Sequence, residues 1–130
     1  MNRNMVLVLL TVLGAAFFLV FGLWPFLDAR SFFENIAPFE PYNAHFLHDI
    51  GAFQLGIGAM LAIALWRRTD AIFAALAGAG IGAAFHVVTH IRDRDLGGSD
   101  SDTVVLAIIA VLLLVGAAWK LASERPSTRP

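Results

Sequence analysis

The chain contains no cysteine, which excludes disulfides, thiolate metal sites and thiol catalysis. Lysine is nearly absent: of the nine basic residues only Lys120 is one. Charge of either sign is scarce, at 15% of the 130 residues against about 25% in soluble domains. The formal net charge of −1 offers no basic field for nucleic acid. No Gly-rich phosphate loop, Walker motif or serine nucleophile elbow is present.

What fills the chain instead is apolar. Hydrophobic residues make up 58% of it. A single domain of this length has too little interior to bury so much apolar surface in water. A bilayer resolves the conflict by solvating that surface itself. Four apolar runs stand out, at about 5–24, 44–66, 71–91 and 103–119. Each matches the length of about 20 helical residues needed to cross a hydrocarbon core. The expected fold is all-α, a membrane-embedded four-helix bundle forming one domain over residues 1–130, with a polar tail at 120–130. The first run is read as a retained span rather than a signal peptide, because its apolar stretch is long and no small-x-small cleavage pattern follows it.

Boundary chemistry supports these limits. Pro25 stops or tips the first helix. Asn43 can cap the second, and Thr69 or Asp70 the third. The run Gly97-Gly98-Ser99-Asp100-Ser101-Asp102 breaks the chain and caps the fourth. Trp24, Trp66 and Trp119 fall at span ends, as in an aromatic belt. The connection between the first two spans carries Phe26, Phe32, Phe33, Ile36 and Phe39. It reads as a short amphipathic segment, lying on the outer interface or folded over the bundle.

Orientation follows from Lys and Arg. With both termini on one side, that side holds Arg3, Arg67, Arg68, Lys120, Arg125 and Arg129, and the other only Arg30, Arg92 and Arg94. The positive-inside rule then places both termini in the cytoplasm.

All four histidines lie toward the outer ends of two spans. His45, His48 and Asp49 open the second, and His86 and His90 close the third. Residues four apart on a helix share a face at a rise of about 6 Å, so His45 stacks with Asp49 and His86 with His90. A tight hairpin turning between Arg67 and Arg68 sets His45 level with His90 and Asp49 level with His86. Small residues on the third span continue the histidine line as Ala74, Gly78 and Gly82. The second span offers Ala52, Gly56 and Ala59 beside Asp49. Small-xxx-small lines let helices approach closely, so these two faces are expected to pack together.

Imidazoles with a carboxylate and no sulfur suit a transition metal ion such as zinc, iron or copper. The expected ligands are His45, Asp49, His86 and His90, with His48 a further candidate. Such a site would serve an oxidoreductase acting on a lipophilic substrate at the outer leaflet. Haem b held by axial histidines from the two spans is an alternative. Others are a structural polar cluster at the rim and a proton-responsive or ligand-binding role. Another is a non-enzymatic subunit that docks a partner membrane protein or a second copy. Gln54, about one and a half turns below Asp49, either lines the same cavity or bonds a neighbouring helix. Glu34 and Glu40 reach the site if the outer connection folds over it.

The stretch Asn43-Ala44-His45-Phe46-Leu47-His48-Asp49-Ile50-Gly51, with His86-Val87-Val88-Thr89-His90 later, resembles a group of small actinobacterial four-helix membrane proteins. The matching positions are Asn43, His45, Asp49, Gly51, His86 and His90. His48 departs from the pattern, which has arginine there. The group lends no activity, and the resemblance implies a multi-pass protein of a bacterial cell (inner) membrane. A looser architectural likeness to DoxX-type proteins hints at redox-related work.

Overall fold

The computed structural model describes residues 3–67, 70–95 and 99–124. Five helices follow one another: α1 (Arg3–Leu27), α2 (Ala29–Asn35), α3 (Ala44–Arg67), α4 (Ala71–Arg92) and α5 (Asp100–Glu124). Four of them are long and apolar enough to cross a membrane. The expected all-α bundle is present, with α2 as the short segment between the first two spans. Consecutive long helices run antiparallel, so both described chain ends lie at one end of the bundle. We call that end proximal. The α2 region and the connection from α4 to α5 lie at the distal end.

Local chemistry sets the helix limits. Pro25 lies inside α1 and not at its stop; the helix runs on to Leu27, tucking Pro25 into the interior. Asp28 then caps α2, accepting the Ser31 backbone N–H at 2.9 Å. Asn43 caps α3 as expected, accepting the Phe46 N–H at 3.1 Å. Asp70 precedes α4 without a side-chain cap bond, and Thr69 lies outside the described residues. At α5 the Asp102 carboxylate reaches back to the Ser99 N–H at 2.7 Å, the N3 half of a capping box. Gly97 and Gly98 lie outside the described residues.

The most extensive contacts pair α1 with α3 and α4 with α5, while α3 and α4 touch far less. Glycine explains the first pairing. A Cβ added at Gly51 would lie 2.8 Å from the Gly22 carbonyl oxygen, and one at Gly58 would meet Leu19 Cγ at 2.7 Å. Backbones this close gain dispersion contacts, which drive helix association where water is absent. On α4, Gly80 receives Leu114 of α5, whose Cδ2 and Cγ would stand 2.9 Å from an added Cβ.

This corrects the expected tight packing of the second span on the third. Ala74, Gly78 and Gly82 are exposed, as are Ala52, Gly56 and Ala59. A Cβ at Gly56, Gly78 or Gly82 would meet nothing within 4 Å. The buried face of α4 is the one bearing Ile72, Leu76, Gly80 and Ala75, Ala79, Ala83.

A dense core fills the proximal half. Leu61 and Leu76 are wholly buried, and Leu7, Ile72, Leu113 and Ala117 pack with them. Thr11 is the buried polar residue here, and its hydroxyl donates to the Leu7 carbonyl at 2.7 Å. A second cluster at the distal end joins Ala29, Phe32 and Phe33 to Leu47. There Trp24 Nε1 donates to Ser31 Oγ at 3.2 Å, and its ring meets Phe32 edge-on at 5.8 Å. Arg30 pairs with Glu34 at 2.6 Å and stands over Tyr42, 5.1 Å from the ring centre. Thus α2 folds against the bundle by its aromatic face and keeps its charges outward.

Candidate ligand cavity and histidine rim

Between the two helix pairs, in the distal half, lies a cavity of about 700 Å³. That size falls within the roughly 300–1,000 Å³ of small-molecule sites. All four long helices wall it. From α1 come Phe17 and Phe21, stacked with ring centres 4.6 Å apart. From α3 come Phe46, Ile50 and Gln54, one i, i+4 line. Helix α5 adds Val105 and Leu106. Phe32, Ile36 and Phe39 of the α2 region form the roof. Polar groups gather on the α4 side and at the start of α5: His86, Thr89, His90, Asp93 and Asp102.

His86 and His90 therefore line the cavity, and their rings lie 4.9 Å apart at 55°. Their i, i+4 stacking is as expected. The Thr89 hydroxyl donates to the His86 backbone carbonyl at 2.8 Å.

The other sequence candidates stand elsewhere. His45 Nε2 lies 3.5 Å from Asp49 Oδ2, so that pair also forms, with side chains 87% and 55% exposed. It does not line the cavity. His48 stands against Phe26, ring centres 6.1 Å apart. The reason is angular. Each residue turns a helix by about 100°, so the line 46–50–54 that faces inward carries 45 and 49 one step to its side. Equal height on two helices did not imply facing. Among the described residues, no three His, Asp or Glu side chains come together in a way that could hold a metal ion. Glu34 is held by Arg30, and neither it nor Glu40 borders the cavity. Arg92 and Arg94 pair with their neighbours Asp93 and Asp95, each at 3.9 Å.

Gln54 is the residue whose two options separate cleanly. It is among the residues that line the cavity, while its Oε1 is buried with no hydrogen-bond partner among the described residues. The helix–helix hydrogen bond is not made.

The aromatic wall on α1 has no counterpart among the site residues singled out from the sequence, which lie on the second and third spans and the outer connection. The one available signal was the crowding of Phe17, Phe18 and Phe21 on the distal half of the first span, opposite the aromatic connection. Asp102 was foreseen as a cap and not as part of a site.

Comparison of the chain with protein-family models, with curated proteins and with solved structures finds no match.

Proposed function

We propose that this multi-pass membrane protein binds a lipophilic small molecule in the distal cavity, with His86 and His90 against its polar part. The cavity carries this reading. It is mostly apolar, with aromatic walls and a limited polar edge, and lies open-sided between helices long and apolar enough to cross a membrane. Polar side chains within such helices are costly and mark functional positions by default. Two imidazoles beside a bound molecule can donate, accept or exchange protons with it. On the Lys and Arg bias, the cavity opens toward the outer leaflet of a bacterial cell membrane and both termini are cytoplasmic.

Metal-dependent oxidoreductase chemistry is the finer form of this reading. His86 and His90 would supply two ligands to an ion such as zinc, iron or copper. His45 and Asp49 would have to turn toward them for a four-ligand site. Haem b, the alternative, would take one axial imidazole from each span, so His45 or His48 of α3 would have to turn toward His90 or His86 of α4. A subunit role rests on the exposed Ala74, Gly78 and Gly82 face of α4, which lets another helix approach closely.

The test is photolabelling in lipid nanodiscs with an alkyl diazirine probe, followed by mapping of the labelled residues. Saturable labelling at Phe17, Phe21 or Leu106 is expected. Leu106→Trp and Ile50→Trp, each filling the cavity, should cut it by about tenfold or more while the thermal midpoint holds. Labelling spread evenly over the lipid-facing residues of all four spans overturns the reading. Metal analysis of the same preparation decides the finer form: stoichiometric metal lost in His86→Ala supports it.

A further inference from the structure

We propose that the distal cavity takes a lipophilic cation, an amphiphile whose ammonium head seats against Asp93 and Asp102. The proposal rests on the cavity being a binding site and names the class of molecule it takes.

The cavity is lined by charge of one sign. Asp93 and Asp102 border it, and no Lys or Arg does. Its other ionisable groups are His86 and His90, which count as neutral in the formal charge. Both carboxylates are within reach of a bound molecule: the Asp93 side chain is 47% exposed and Asp102 is half-buried. The protein itself does little to offset them. Asp102 Oδ2 accepts the Ser99 backbone N–H, a neutral donor. Arg92 pairs with Asp93 only loosely, with Nε 3.9 Å from Oδ1 and beyond hydrogen-bond distance. The Arg92 side chain is 83% exposed, where solvent weakens such a pair.

Polarity is sorted along the cavity. His86 and His90 share one face of α4, and Asp93 at its C-cap continues toward the distal end. On α5, Asp102 stands one turn distal to Leu106. Phe17 lies ten residues before the end of α1, about 15 Å deeper at a rise of 1.5 Å per residue. An amphiphile matches that gradient, with its head at the carboxylates and its tail among the rings.

The sign of the head separates the classes. A carboxylate or phosphate head would meet two like charges with no cation in the lining to offset them. A neutral head would gain little from either carboxylate. An ammonium gains charge-assisted hydrogen bonds to them, and neutral imidazole can accept from it as well. Phe39 and Phe46 line the same end with ring centres 5.6 Å apart, and a phenyl face attracts a cation where it would repel an anion.

The experiment is competition against the diazirine probe in phosphatidylcholine nanodiscs. The competitors are 4-octylbenzylamine, 4-octylbenzyl alcohol and 4-octylbenzoate, which share a tail and differ in head charge at pH 7. Each is compared at equal mole fraction in the lipid. In the unmodified protein the amine should displace the probe at about one tenth the mole fraction that the alcohol needs, equivalent to ~1.4 kcal/mol, with the benzoate weakest. In the double variant Asp93→Asn, Asp102→Asn the amine and the alcohol should be equally effective, with probe labelling retained. Asparagine keeps an oxygen for the Ser99 N–H. If the double variant does not fold, Asp93→Asn alone should bring the preference down to about threefold, half the free energy. Asp95→Asn is the control for the general field of the distal end, since its side chain is 93% exposed and does not border the cavity. It should leave the preference unchanged. If the alcohol or the benzoate matches the amine in the unmodified protein, selection of a cation is overturned while the binding site stands. A preference that survives loss of the cavity carboxylates, or falls equally in Asp95→Asn, overturns it as well. If the probe labels nothing saturably, it is the underlying reading that fails.

Discussion

The two halves of this bundle are built from the same four helices and to opposite ends. In the proximal half, Leu61, Leu76 and Leu113 are 0–2% exposed and interlock with small residues. In the distal half the same helices line a cavity walled in part by phenyl rings. A membrane offers little hydrophobic drive for helix association, so close packing must come from shape. The proximal half has that shape, where leucines meet alanines. In the distal half α1 and α3 still approach closely, at Gly22 and Gly51, and the cavity lies between that pair and α4–α5. The lesson is that the dense core and the cavity are divided along the bundle axis rather than among helices.

The sharpest way to break the division is at the α1–α3 contact that supports both halves. Gly51→Leu puts a side chain against the Gly22 carbonyl and should cost about 3 kcal/mol, the upper part of the range for overpacking, measured by unfolding in detergent. Next comes a matched pair. Leu113→Ala in the proximal core should cost about 2 kcal/mol, at the low end for such truncations because the hydrophobic transfer term is weak in lipid. Leu106→Ala at the cavity wall should cost about 0.5 kcal/mol or less, since few contacts are lost there. Equal losses would mean that the cavity collapses in the bilayer. Asp102→Ala, which removes the reach to the Ser99 N–H, should cost about 1 kcal/mol through fraying of α5. The smallest effect belongs to Gly78→Ala and Gly82→Ala. Both sites are open, so each should be neutral or stabilising by up to about 0.5 kcal/mol through helix propensity. A large loss at either would show that this face is covered by another helix.

The four spans, the cap at Asn43 and the aromatic segment were legible because each is encoded locally. Run length, a side chain able to reach its own helix start and a pattern of phenylalanines need no knowledge of neighbours. The stacked pairs His45–Asp49 and His86–His90 were legible for the same reason. Which faces meet was not. Along residues 71–84, α4 carries small residues on nearly every side, so Ala74–Gly78–Gly82 and Ala75–Ala79–Ala83 look equally fit to pack. The choice was made by Leu114 seeking Gly80, a fact of α5 and not of α4. The cavity was illegible in a deeper sense, because a void is a property of what fails to fill it.

The seat of Trp24 has a practical consequence. Its ring rests edge-on against Phe32, which forms part of the cavity roof. The other two tryptophans, Trp66 and Trp119, belong to the opposite end of the bundle. The molecule therefore carries its own optical gauge: one indole emits beside the roof, and two emit at a distance as an internal standard. A shift in emission that vanishes in Trp24→Phe reports the roof alone, with no label attached.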